Sequence, residues 1–137
     1  MMRSRRLRGE AGAAAETVVI FPAFILLLLM VVQFALWLNA SHVALAAAQE
    51  GARVARMAAT DGAAQEQQGE AKAASFLAAL APHTINGPPT VKGFRTNDTA
   101  GIEVIAQGTS IIPGFPSFSI DKTSEGPVER FRSRTDP

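Results

Sequence analysis

The chain has 137 residues, 13 Lys and Arg against 12 Asp and Glu, a net charge of +1 and no cysteine. Length allows one domain at most once a membrane segment is subtracted, and the near balance of charge, with basic residues split between the two ends, excludes a polyanion-binding face and so nucleic acid as a partner. Without Cys there is neither a disulfide framework nor a thiolate metal site, and the soluble part must be held by packing or by partners.

The leader, residues 1–16, carries Arg3, Arg5, Arg6 and Arg8 against Glu10 and Glu16. From Thr17 to Ser41 no residue is charged, and Val18 to Leu38 departs from apolar character only at Pro22 and Gln33. About 20 helical residues at 1.5 Å each span roughly 30 Å of hydrocarbon, so residues 17–41 predict a transmembrane helix. Because the next Arg is Arg53, the positive-inside rule places the N-terminus in the cytoplasm and residues 42–137 outside. A cleaved secretory signal is the rival reading, with Ala46, Ala47 and Ala48 as its small-residue site, but a secretory apolar core is shorter and ends nearer its cleavage point.

Residues 42–81 are alanine-rich and predict helix, with Val43, Leu45, Val54 and Met57 set among Gln49, Glu50, Arg53 and Arg56. Asp61 and Gly62 interrupt the pattern, either separating two helices or kinking one. Helix resumes over Ala63 to Ala81, with Phe76, Leu77 and Leu80 on one face, until Pro82 stops it. From Pro82 to residue 124 the composition turns to Gly, Pro, Thr and β-branched residues, which predicts a small antiparallel β unit and an α+β fold. Expected strands are Thr90–Thr96, Ile102–Gln107 and Phe118–Lys122, with Asn97–Gly101 as a hairpin turn and Pro113, Gly114 and Pro116 as a corner. Residues 125–137 read as a flexible tail anchored only by Val128 and Phe131.

No catalytic constellation is present: there is no nucleophile elbow and no Gly-rich loop between strand and helix. His42 and His83 are far apart with no carboxylate at ligand spacing, so neither a metal nor a cofactor is expected. The sequons at Asn39 and Asn97 are three-residue patterns of the kind that recur by chance.

Several stretches together carry a resemblance. Gly12-Ala13-Ala14-Ala15-Glu16, Phe21-Pro22, Gln33-Phe34-Ala35-Leu36-Trp37 and Ala47-Ala48-Gln49-Glu50-Gly51-Ala52-Arg53 resemble the TadE-like family, pilin and pseudopilin-like proteins of the tight-adherence (Tad/Flp) pilus system. Ile112-Pro113-Gly114 and Glu125-Gly126-Pro127-Val128-Glu129-Arg130-Phe131 are similar to the forms this family takes in actinobacteria. The resemblance implies a non-enzymatic minor pilin or pseudopilin acting in pilus assembly and surface adhesion. Its implied partners are the membrane, other pilin subunits, the assembly platform and a prepilin peptidase. It implies processing near Ala11, Gly12 and Ala13, and assembly contacts at Glu16, Gln49, Glu50, Gly51 and Arg53.

The pattern departs in one place. Prepilin cleavage usually leaves Glu as the fifth mature residue, whereas Glu16 is fourth after Gly12; a cut after Ala11 restores the spacing, and a cut after Gly9 leaves Glu16 seventh. An uncut, membrane-anchored assembly factor and a simple tethered binding module both stand as alternatives. For single residues the readings also divide. Glu16 either meets the freed amine of a neighbouring subunit or reaches the headgroups. Pro22 bends the helix or is merely tolerated, and Gln33 bonds across a helix interface or within its own turn. Glu50 and Arg53, three apart, form either a plain surface pair or part of a contact face.

Overall fold

The computed structural model describes residues 4–57 and 61–129, and the side chains of the first helix from Glu16 onward. The order is α1 (Ser4–Ala55), α2 (Gly62–Leu80), β1 (Thr90–Arg95), β2 (Thr99–Gln107) and β3 (Ser119–Pro127), an α+β arrangement. The chain divides into two units, Met1–Ala35 and Leu36–Pro137.

Within the first unit α1 runs unbroken through Pro22. Its apolar residues are exposed on every side: Val18 is 73% accessible, Phe21 63%, Leu27 58% and Phe34 61%. A helix apolar all round has no water-compatible face, and its length and hydropathy make it a candidate membrane span. Gln33 is the exception in this stretch, being 4% exposed and engaged within the chain.

In the second unit the same helix changes character. Ala40, Ala44, Ala47, Ala48, Ala52 and Ala55 fall on one face at helical spacing and are buried. Alanine contributes little area, so this stripe lets backbones approach closely while the bulk comes from the sheet, where Ile102, Val104 and Ile120 are the largest fully buried side chains. Ala73 and Leu77 of α2 complete the core, with Trp37, Val43, Phe76, Ile85, Val91 and Val128 packed around it.

Helix α1 ends with its last carbonyls occupied. Arg56 Nε donates to Ala52 O at 3.2 Å, Arg95 Nη1 to Ala55 O at 2.8 Å, and the Glu129 N–H to Arg56 O at 2.9 Å. Two guanidinium groups thus meet the negative end of the helix dipole and satisfy acceptors the helix leaves open. Arg95→Met keeps the aliphatic stem but removes the charged donor, and is expected to lower the unfolding free energy by about 1.5 kcal/mol in a urea titration of the full chain in detergent.

Gly62 separates two helices rather than kinking one. Asp61 is extended (φ −119°, ψ 103°) and its Oδ1 accepts from the N–H groups of Ala63 and Ala64 at 3.0 and 3.3 Å, an N-cap that starts α2 afresh. The helix stops before Pro82. Its buried face is Gly69, Ala73 and Leu77, spaced four apart; of the expected apolar face only Leu77 is fully buried, Phe76 is half-buried and Leu80 is 57% exposed.

The three strands form an antiparallel sheet in the order β1-β2-β3. Val91 faces Val104 and then Lys122, and Gly93 faces Ile102 and then Ser124. Alternation along β2 sends Ala100, Ile102, Val104 and Ala106 inward, as a half-buried sheet requires. The hairpin between β1 and β2 is tighter than the expected Asn97–Gly101 turn. Thr99 already belongs to β2, and the Thr96 N–H donates to Thr99 O at 2.8 Å while the Thr99 N–H donates to Thr96 Oγ1 at 3.1 Å. The threonine hydroxyl replaces one backbone acceptor, so Asn97 and Asp98 suffice as the loop. Pro113 and Gly114 form the expected corner: the Phe115 N–H donates to Ile112 O at 3.1 Å, and Gly114 has φ +79°, as position three of a type II turn requires.

Strand β3 begins after Phe118 and runs to Pro127, beyond the expected Lys122. Glu125, Gly126 and Pro127, read from sequence as the start of a tail, pair with Gly101, Ala100 and Thr99. Val128 continues the attachment through its N–H to Asp98 O at 2.9 Å. Alternating polar residues concealed this strand, because its inward positions after Ile120 are Lys122, Ser124 and Gly126 rather than apolar ones. Arg130 and Phe131 lie outside the described residues.

Candidate functional site

Gln49, Glu50, Gly51 and Arg53 stand on the last turns of α1, where the alanine stripe meets α2, and the structure separates them by role. Gln49 and Arg53 are exposed, Glu50 is half-buried and Gly51 is buried. A side-chain carbon on Gly51 would lie 2.7 Å from Gly69 O and 2.9 Å from Ala73 Cβ; one on Gly69 would lie 2.8 Å from Gly51 O and 3.0 Å from Ala55 Cβ. The crossing is reciprocal: two Gly-x-x-x-Ala units, Gly51 with Ala55 and Gly69 with Ala73, each set a glycine beneath the other's alanine. Only hydrogen at both glycines permits this approach.

Beside the crossing, Glu50 holds a charge cluster together. Arg53 Nη2 and Nε donate to its two carboxylate oxygens at 2.8 and 3.1 Å, and Lys72 Nζ of α2 lies 3.9 Å from Oε1. The hydrogen bonds from Arg53 hold the Glu50 carboxyl below its ordinary value of 4.5, and reciprocally raise the guanidinium of Arg53. A carboxyl depressed in the folded state contributes stability that is complete above its unfolded value and is lost as pH falls through the folded one. The melting temperature of the head is therefore expected to fall slightly on acidification below 4.5, and Glu50→Gln to remove that part of the acid slope, read by circular dichroism. The pair is open to solvent, so the effect is small and salt-sensitive.

An open cleft lies along this helix face, lined by Ala46, Gln49, Glu50, Arg53 and Phe76. Arg56 and Ser124 of β3 complete its lining. Among the described residues no cluster of three His, Cys, Asp or Glu could hold a metal ion.

Glu16 stands apart from these residues, on the first turn of the apolar span. It is exposed beside Thr17, Ile20, Phe21 and Phe24, and no Lys or Arg among the described residues pairs with it. The side chains of Ala11, Gly12 and Ala13 lie outside the described ones; their backbone is helical.

Sequence reasoning missed Gly69, Lys72 and Arg95. The first had a signal: Gly69-x-x-x-Ala73 repeats the spacing of Gly51-x-x-x-Ala55, and two such units on successive helices are a crossing pattern. Lys72 and Arg95 reach their partners across the fold and carry no local mark.

No curated protein and no solved structure matches the chain. One family does, and the matched residues take in the apolar span, Glu16 and the crossing glycine of α1: residues 12–53 match the family described as TadE-like protein, as the sequence motifs there imply.

Proposed function

We propose that this chain is a TadE-like minor pilin or pseudopilin that works in Tad/Flp pilus assembly and, through it, in surface adhesion. Its apolar helix holds it in the membrane with the N-terminus cytoplasmic, and packs laterally against the helices of other subunits. In hydrocarbon there is no hydrophobic drive between helices, so association depends on close packing and on polar pairs. Glu16 is suited to such a pair, because a carboxylate at the membrane boundary gains from a nearby cation. The amine freed by a prepilin peptidase on a neighbouring subunit supplies one. Gln49 and Arg53 are available to a neighbour; Gly51 acts indirectly, by shaping the helix pair that presents them.

The observation that carries this reading is the TadE-like match, which covers the span together with the start of the head. Intact mass and N-terminal sequencing of the membrane-extracted protein, made with and without its host's prepilin peptidase, test it. The expected result is a peptidase-dependent terminus at Gly12 or Ala13. A terminus at Gln49 means ordinary signal cleavage and sinks the proposal. The spacing of Gly12 to Glu16 favours one second reading, a permanently anchored assembly factor that never enters a filament, and an unprocessed chain is its signature.

A further inference from the structure

The head is polarised by charge along its length. Between Glu16 and Glu50, between Lys72 and Lys92, and between Glu103 and Asp121 the sequence has no Asp, Glu, Lys or Arg. The fold gathers the parts of these stretches that belong to the second unit, from Leu36 onward in the first of them, at one end of that unit. A side-chain carbon on Gly108 would lie 3.8 Å from Trp37 Cδ1, Ile85 bridges to Gly108, and the Thr109 N–H donates to Thr84 O at 3.0 Å. The Gly108 N–H closes the loop onto Phe118 O at 2.9 Å. The charged side chains Glu50, Arg53, Arg56, Lys72 and Arg95 cluster at the opposite end, around the close of α1.

Among the described residues the charge-free end also carries all but one of the head's exposed large apolar side chains, Met57 at the close of α1 being the exception. Ile111 is 41% accessible, Phe115 44%, Phe118 39% and Leu80 57%, and the Phe115 and Phe118 rings are 6.1 Å apart. The Pro113-Gly114 turn holds Phe115 in a closed loop. Trp37 fixes the level of this loop. It stands at the outer end of the apolar span, where amphipathic aromatic rings settle among lipid headgroups, and it packs in the head beside Gly108, the residue from which the loop departs.

We infer that the loop of residues 109–118 is a second membrane contact, with Ile111, Phe115 and Phe118 inserted into the outer interfacial layer of the bilayer around the span. The occupant is lipid because the loop continues an apolar surface already committed to the membrane at Trp37, and because the whole end is free of the charges that would resist entry. A single span leaves a head free to tilt; a second contact on one side fixes its rotation about the helix. That sets which face of α1 and which sheet edge are presented to neighbouring subunits. The inference rests on reading residues 17–41 as a membrane span.

The test uses the full chain, whose lack of cysteine allows single-site labelling without removing native residues. Phe115→Cys, Ile111→Cys, Phe24→Cys and Thr123→Cys are each nitroxide-labelled and reconstituted into phosphatidylcholine and phosphatidylglycerol vesicles. Accessibility to oxygen and to a water-soluble nickel chelate is read by electron paramagnetic resonance. The expected result is an oxygen-to-nickel ratio several-fold higher at Phe115 and Ile111 than at Thr123, on the solvated sheet face, unchanged when the protein is diluted into excess lipid. Labels at Phe115 and Ile111 that match Thr123, with Phe24 deep in the bilayer, overturn the loop contact and leave the span intact. A label at Phe24 that is open to nickel overturns the span and the loop contact together. Protection at Phe115 that disappears on dilution into lipid overturns the lipid contact in favour of a second copy or another protein.

Discussion

Replacing Gly51 with leucine is expected to destabilise the head by about 3 kcal/mol, the upper part of the range for overpacking a close contact. The first side-chain carbon alone would sit 2.7 Å from Gly69 O and 3.1 Å from Ile102 Cγ1. The neighbour is backbone, so no rotamer change relieves the clash and α2 must move away from α1. That displacement also opens the core around Ala73 and Leu77. Urea titration of the full chain in detergent, followed by far-ultraviolet circular dichroism, reads the loss. Gly69→Leu should act alike from the opposite helix, and the double variant should cost less than the sum of the two, because both open the same crossing. Additive losses would mean that the two glycines serve separate contacts.

Ile102→Ala is the second large effect, an expected loss of about 3 to 4 kcal/mol. Ile102 is fully buried at the centre of β2, flanked by Gly93 on β1 and Ser124 on β3, and it lies against the glycine face of α1. Its cross-strand neighbours are small, so nothing in the sheet can fill the space its side chain leaves. The alanine stripe of α1 cannot fill it either, since those residues have no further atoms to extend. The same experiment on Val104→Ala should show a smaller loss, in proportion to the fewer carbons removed.

The long apolar helix, its alanine-rich continuation and the count of three strands were legible because each rests on a local signal. An uncharged apolar run, an alanine-rich stretch and a change to β-branched composition are all read within a window of a few turns. The tight Thr96–Thr99 hairpin was not, because a threonine side chain stands in for backbone and leaves the turn shorter than its composition suggests. The far half of β3 was hidden for a different reason. Lys122, Ser124 and Gly126 occupy its inward positions where the sheet passes the end of α1, and Arg56 lies over Gly126. A polar inward face is readable only once the arginines that close the helix are known to be there. The candidate site divides in the same way: the Gln49–Arg53 motif is contiguous in sequence, but Gly69 and Lys72, which give Gly51 and Glu50 their surroundings, come from another helix. Polar pairs across a fold leave no periodic trace.

The proposed topology is a membrane crossing by the apolar helix, with the residues before it cytoplasmic and the α+β head outside. Thiol labelling tests it most directly, since the chain has no native cysteine. Arg5→Cys and Thr123→Cys variants are expressed in the host, and spheroplasts are treated with a membrane-impermeant maleimide before and after permeabilisation. The expected result is labelling of Thr123→Cys in intact spheroplasts and of Arg5→Cys only after the membrane is opened. Labelling of Arg5→Cys from outside, or protection of Thr123→Cys until permeabilisation, would contradict the orientation and the pilin-like role built on it.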